Sequence, residues 1–217
     1  PVSAAETVTP MEQTAFSRVR DILQLPTARL VYLQGIFGCV PWAILGVYFN
    51  DFLQHDLNLT VHTSTLLMTT FGIGAALGQV GGGALGQRLY NADPRRQTLL
   101  MGITTILGAI PLILIINNED FVGSSAKAMK DTDSDLASVK GGITTPALGI
   151  YMLFFMAGML AAVTGPNVRS LLQNVTTARN RGLAFALFTL CDDVGKGAGP
   201  YAVARLISYT GSRKEAF

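Results

Sequence analysis

Leu99-Leu-Met-Gly-Ile-Thr-Thr-Ile-Leu-Gly-Ala-Ile-Pro-Leu-Ile-Leu-Ile-Ile116 is the stretch whose reading decides the fold. It carries no charge. As a helix rising about 1.5 Å per residue, it crosses most of a hydrocarbon core about 30 Å thick. Four other segments read the same way: Leu30–Phe52, Ser64–Leu85, Thr145–Val163 and Leu183–Ser208. Within lipid every backbone polar group must find its partner inside the protein, so spans of this length and hydropathy are helices. The expected fold is an all-α membrane protein with five transmembrane helices, and the lipid bilayer is its solvent.

Composition fits that expectation. Hydrophobic residues make up 49% of the chain, and the mean hydropathy is only +0.39. A polar lead (Pro1–Ala28) and a polar loop (Asn117–Gly142) dilute it. A net charge of +2 is too small to point to nucleic acid as a partner. The two cysteines, Cys39 and Cys191, fall inside expected spans and read as buried thiols. The sequence offers no metal-ligand cluster, no nucleophile–base pair and no phosphate loop. No catalytic residue, metal or cofactor is therefore expected, and an enzyme is the least favoured class.

Charge placement sets the orientation. Arg18, Arg20 and Arg29 precede the first span, Arg88, Arg95 and Arg96 follow the second, and Arg169, Arg179 and Arg181 follow the fourth. These nine arginines fall on one side, which the positive-inside rule makes cytoplasmic. Arg205, Arg213 and Lys214 count against that assignment. The N-terminus is then inside and the C-terminus outside. An odd number of spans ending abruptly reads as truncation, with at least one more span expected beyond Phe217. Before the first span, Phe16, Val19, Ile22 and Leu23 recur at helical spacing, giving an amphipathic surface helix over Met11–Leu25 that Pro26 ends. Asn58-Leu-Thr60 is a glycosylation sequon on the expected outer side.

Candidate functional residues come from faces and from charge. In span one, Gln34, Phe37, Pro41, Leu45 and Tyr48 share a helix face, and Pro41 invites a kink because it lacks an N–H. Such a face either lines a cavity or packs against neighbouring helices. In span two, Gly74, Gly78, Gly82 and Gly86 recur four apart, the spacing that lets helix backbones approach closely. Packing is the expected role of Gly74 and Gly78. Span four presents Tyr151 and Phe155 on one face, with Met152, Met156 and Met159 beside them. Methionines adapt to variable apolar shapes, which suits an amphiphilic ligand, although a stripe of this kind more often faces lipid or a neighbouring helix. The sharpest signal is Cys191-Asp-Asp-Val-Gly-Lys-Gly-Ala-Gly-Pro200 in span five. Asp192 lies about 15 Å along a helix that enters near Gly182, close to the membrane midplane. Ionisable groups at that depth are functional candidates. Asp192 and Lys196 are four apart and are expected to pair, leaving Asp193 to seek another partner.

Several of these segments carry a family resemblance. Gly82-Gly-Ala-Leu-Gly86-Gln-Arg-Leu-Tyr90 followed by Pro94-Arg-Arg96 resembles the cytoplasmic loop motif of the major facilitator superfamily, with Gln87 where the motif has an acidic residue. From about Leu25 onward the chain resembles helices seven to eleven of that twelve-helix fold. Three further patches resemble the Spinster-like group, which exports sphingolipids and lysophospholipids. They are Leu33–Trp42, Gly165-Pro-Asn-Val-Arg169 with Asn174 and Arg181-Gly182, and Asp192–Pro200.

The resemblance implies a secondary transporter that works by alternating access. Its partners would be the N-terminal half of the same polypeptide, a small amphiphilic substrate and a coupling proton. Residues 1–29 become the cytoplasmic linker between halves, 30–208 the C-terminal bundle with an outer loop at 117–144, and 209–217 a lead into a last helix. Cavity candidates are then Gln34, Phe37, Pro41, Tyr48, Tyr151 and Phe155. Asp192, Asp193 and Lys196 are ion-coupling or gating candidates, and Gly82, Gly86, Gln87, Arg95 and Arg96 form the loop motif. Two other readings remain open: a transporter of sugars, organic anions or drugs, and a membrane sensor or scaffold. The plasma membrane and an endolysosomal membrane both stay open as settings.

Overall fold

The computed structural model describes residues 15–117, 124 and 145–210. Among them the elements are helical: α1 (Ala15–Gln24), α2 (Pro26–Ile44), a π-helical turn (Leu45–Phe49), α3 (Asn50–His55), α4 (Val61–Ala92), α5 (Pro94–Asn117), α6 (Thr145–Ala162), α7 (Thr164–Val175) and α8 (Arg181–Thr210). Local chemistry sets the boundaries. Pro26 and Pro94 open their helices, where a missing N–H costs nothing. Thr60 caps α4 by accepting the Thr63 N–H at 3.2 Å, and Asp93 accepts the Arg95 N–H at 2.9 Å at the start of α5. Asn58, in the turn between α3 and α4, takes a left-handed backbone (φ 52°), which asparagine tolerates better than most residues.

Three stretches are long and apolar enough to cross a membrane by length and composition alone: Pro26–His55, Pro94–Asn117 and Leu148–Val175. α4 and α8 match them in length. Glycines, threonines and Gln79 dilute the hydropathy of the first, and charges dilute that of the second. The outward face of α5 exposes Leu99, Ile103, Ile106, Ile110 and Ile113 in an unbroken helical stripe. Water-soluble proteins rarely leave so long an apolar stripe uncovered, and lipid is the solvent that suits it.

Two helix pairs pack most extensively, α4 against α6 and α2 against α8. The α4–α6 pair works through missing side chains. A Cβ on Gly74 would overlap the Phe155 carbonyl, one on Gly78 the Met159 carbonyl, and one on Gly158 the Phe71 carbonyl. The α2–α8 pair repeats the device, since a Cβ on Gly195 would overlap the Ile36 carbonyl. A buried cluster built on Phe49, Phe52, Leu67, Ile115, Ile150 and Phe154 fills one end of the bundle. A second, built on Ile22, Ala28, Tyr32, Met101, Leu172 and Phe188, fills the arginine-rich end.

Four local features differ from the sequence expectations. The surface helix spans Ala15–Gln24, with Met11–Thr14 outside the described residues, and its Ile22 is buried in the second cluster. It therefore docks on the bundle as well as lying at its surface. Pro26 begins the next helix rather than merely ending this one, which moves the start of the first span four residues earlier. Pro41 sits inside α2, and the irregularity follows it as the π turn at Leu45–Phe49, where the Leu45 N–H is shared between the Pro41 and Trp42 carbonyls. The segment after Val163 continues as the amphipathic helix α7, which carries Arg169. The loop 118–144, apart from Ser124, and residues 211–217 lie outside the described residues.

Candidate functional site

Asp192 projects from the middle of α8 toward α2. Its side chain is buried, with 8% of the residue exposed, and its Oδ1 atom has no hydrogen-bond partner. The approach is possible because Gly35 faces it: a Cβ on Gly35 would sit 2.9 Å from that oxygen and 3.2 Å from the Phe188 ring. The Cys39 thiol, one turn along α2, lines the same cavity as the carboxylate. Lys196 turns away. Its Nζ donates to Asp193 Oδ1 at 3.4 Å, so the expected Asp192–Lys196 pair is replaced by an Asp193–Lys196 pair. The reason is directional: Asp192 occupies the helix face packed on α2, while Asp193 and Lys196 share the exposed face.

A cavity of about 90 Å³ opens at this carboxylate. Gln34, Cys39 and Trp42 of α2, Arg169 of α7, and Phe188 and Asp192 of α8 are among its walls. A second, more apolar cavity of about 460 Å³ lies toward the arginine-rich end, between α2, the α4–α5 junction and α7. Gln34 borders both.

The structure separates the other sequence candidates. Phe37 is 67% exposed and Pro41 is exposed, on a face of α2 that no described helix covers. Tyr48 donates from its hydroxyl to the Pro200 carbonyl at 3.3 Å and ties α2 to the proline-loosened part of α8. Tyr151 packs against the first buried cluster, and the Phe155 backbone abuts Gly74. Neither lines the Asp192 cavity. Within the loop motif, Gln87 donates to Asn91 at 3.0 Å and accepts the Ser170 hydroxyl at 3.2 Å, which links α4 to α7. Arg95 and Arg96 are exposed, with Arg95 on the rim of the larger cavity. Gly82 and Gly86 pack on Val163 and Asn167.

Two features of the site do not stand out in the sequence. Asn167 is fully buried: it donates to the Gly82 carbonyl at 3.0 Å and the Val163 carbonyl at 2.8 Å, and accepts from Gln97 at 3.0 Å. One amide on α7 thus ties α4 and α5 to it, and also holds the Val163 carbonyl at the start of its own helix. A glutamine at the start of an apolar span and an asparagine after a proline are its only signals. Trp42 and Arg169, as cavity walls, are the second feature. The steps Gln34, Gly38, Trp42 are four apart and reach the Asp192 cavity, whereas Phe37 and Pro41 each sit one residue, about 100°, back from Gly38 and Trp42. Among the described residues no group of three or more His, Cys, Asp or Glu is placed to hold a metal.

Long apolar helices joined through glycine contacts, with an aspartate side chain buried among them, define an integral membrane protein of the all-helical class. The sequence model of the Major Facilitator Superfamily matches residues 31–213. The chain belongs to that superfamily, whose members are transporters rather than enzymes. No curated protein and no solved structure matches it.

Proposed function

We propose that the protein is a secondary active transporter working by alternating access, with the Asp192 cavity as a working centre, and that it moves an amphiphilic lipid of the lysophospholipid or sphingolipid kind together with protons. The observation that carries the proposal is the Asp192 carboxylate, buried within a membrane helix with one oxygen unpaired. Such a group is costly to keep and calls for a proton, a cation or a moving partner. Leu30, Val31, Met101, Val168, Leu171 and Val175 form half of the lining of the larger neighbouring cavity, with Gln34 and Arg95 among the polar groups at its edge. That lining suits an acyl chain better than a sugar, which needs many polar partners in a dry site. The three Spinster-like patches of sequence point the same way. Completion of the cavity by another bundle of the same polypeptide is part of the proposal.

Uptake of labelled lysophospholipid and sphingoid base into proteoliposomes, by the complete polypeptide under an imposed pH gradient, tests it. Saturable uptake that follows the gradient is the expected result. Saturable uptake of a sugar, organic anion or drug, with neither lipid moved, would overturn the substrate assignment. A folded protein that moves nothing on the panel would favour the sensor or scaffold.

A further inference from the structure

The long helices fall into two sets. α4, α5, α6 and α7 pack on one another, and α2 packs on α8 with α1 against both. Among the described residues, the backbones of α2 and α8 meet those of α4, α5 and α6 only at scattered points, and α7 is the helix that touches both sets. The polar links obey the same division. Asn167 joins α7 to Gly82 of α4 and Gln97 of α5, Thr105 meets Thr164 at 2.9 Å, and Ser170 donates to Gln87. In the other set, Tyr32 donates to the Ala184 carbonyl and Tyr48 to the Pro200 carbonyl, each at 3.3 Å. None of these hydrogen bonds passes from one set to the other. The close glycine contacts divide likewise, with Gly74, Gly78 and Gly158 seating α4 on α6 and Gly195 seating α2 on α8.

Across the seam between the sets the contacts are apolar. At the end remote from the arginines, Phe49 stacks on Phe154 with ring centroids 5.7 Å apart, and further in Trp42 meets Phe71 at 5.9 Å. The turn from α3 to α4 joins the sets covalently at that end, with Leu57 and Leu59 buried in the same cluster. Toward the arginine-rich end the seam is incompletely filled, because both cavities lie on it. The Asp192 cavity has α2 and α8 on one side and Thr164, Val168 and Arg169 on the other. The larger one has Leu30 and Val31 on one side and Met101 and Val168 on the other. Hydrogen bonds and close backbone contacts weaken steeply with displacement, whereas apolar contacts carry no direction. A membrane helix that parts from an apolar neighbour also finds lipid tails nearly as good. We infer that the two sets tilt against each other as separate bodies, with the aromatic cluster as pivot, and that this tilt sets the width of both cavities. The device goes beyond the transporter reading, since it holds whatever ligand the protein moves.

The test is pulsed electron spin resonance on the full-length polypeptide in lipid nanodiscs, with native cysteines replaced by serine. Spin labels go on the exposed positions Arg29→Cys of α2, Ala186→Cys of α8, Arg88→Cys of α4 and Gln173→Cys of α7. The Arg29–Ala186 and Arg88–Gln173 pairs lie within single sets and should each give one narrow distance distribution. The Arg29–Arg88 pair crosses the seam and should spread or split by about 5 Å, the scale of a one-turn shift between packed elements. Its two labels also serve in the narrow pairs, so label motion alone cannot produce the difference. A disulfide between Thr105→Cys and Thr164→Cys, inside one set, should leave the cross-seam spread unchanged. A cross-seam distribution as narrow as the other two, or within-set distributions as broad as it, would overturn the proposal. So would a cross-seam spread abolished by the Thr105–Thr164 disulfide. The distances need no substrate: uptake without cross-seam motion would refute the seam and keep the transporter, and motion without uptake would do the reverse.

Discussion

Asp192→Asn is expected to cut gradient-driven uptake by about tenfold or more while the variant melts at the same temperature or higher. The two signs are opposite for one physical reason. A buried carboxyl group with an unpaired oxygen destabilises the fold, because the desolvation of that polar oxygen is not repaid by a hydrogen bond. Asparagine keeps the shape, cannot ionise and supplies a donor, so the fold relaxes. Loss of a charged hydrogen-bonding partner costs about 1.5–3 kcal/mol, which is the source of the tenfold figure. Transport assays paired with thermal melts of the purified protein check both halves. Lower stability with unchanged transport would make Asp192 a structural charge.

Gly78→Leu is expected to have the largest effect on folding. At this position the α6 backbone occupies the space a Cβ needs, so even alanine must push the two helices apart. Overpacking in a tight core costs about 1–3 kcal/mol, and a leucine against a main-chain carbonyl belongs at or above the top of that range. The leucine variant should aggregate on extraction or melt well below the parent. Gly81→Ala is the control. Nothing lies within 4 Å of its Cβ position, and replacing a mid-helix glycine there should be neutral or slightly stabilising. Monodispersity on size-exclusion chromatography, followed by melts, separates the cases. A well-folded Gly78→Leu protein would contradict the close α4–α6 contact.

Hydropathy made the long helices legible, because lipid allows the backbone few alternatives. Membership of the superfamily was legible in the glycine-rich α4 and the arginines that follow it. The composition of the site was legible in part. Three ionisable groups in one apolar helix singled out Asp192, yet spacing alone chose the wrong partner for Lys196. Positions three and four apart both place charges on neighbouring faces, and only the packing of α8 on Gly35 decides which aspartate is turned inward. The Gln97–Asn167 link was hidden for a similar reason: the residues are 70 apart in sequence, and only the α5–α7 packing brings the amides together. The continuation of the fourth span into α7 was obscured by Gly165 and Pro166, which resemble a stop. Pro166 lies in the first turn of α7, where proline is tolerated.

The central claim is that the Asp192 cavity faces the two sides of the membrane in turn. Cys39 lines that cavity and serves as the reporter. With every other thiol replaced by serine, the rate of its modification by a membrane-impermeant reagent can be followed from each side in proteoliposomes. The account predicts that Cys39 reacts from one side at rest and becomes reactive from the other when substrate or a reversed pH gradient is supplied. Reaction at one unchanging rate from a single side under every condition would contradict it.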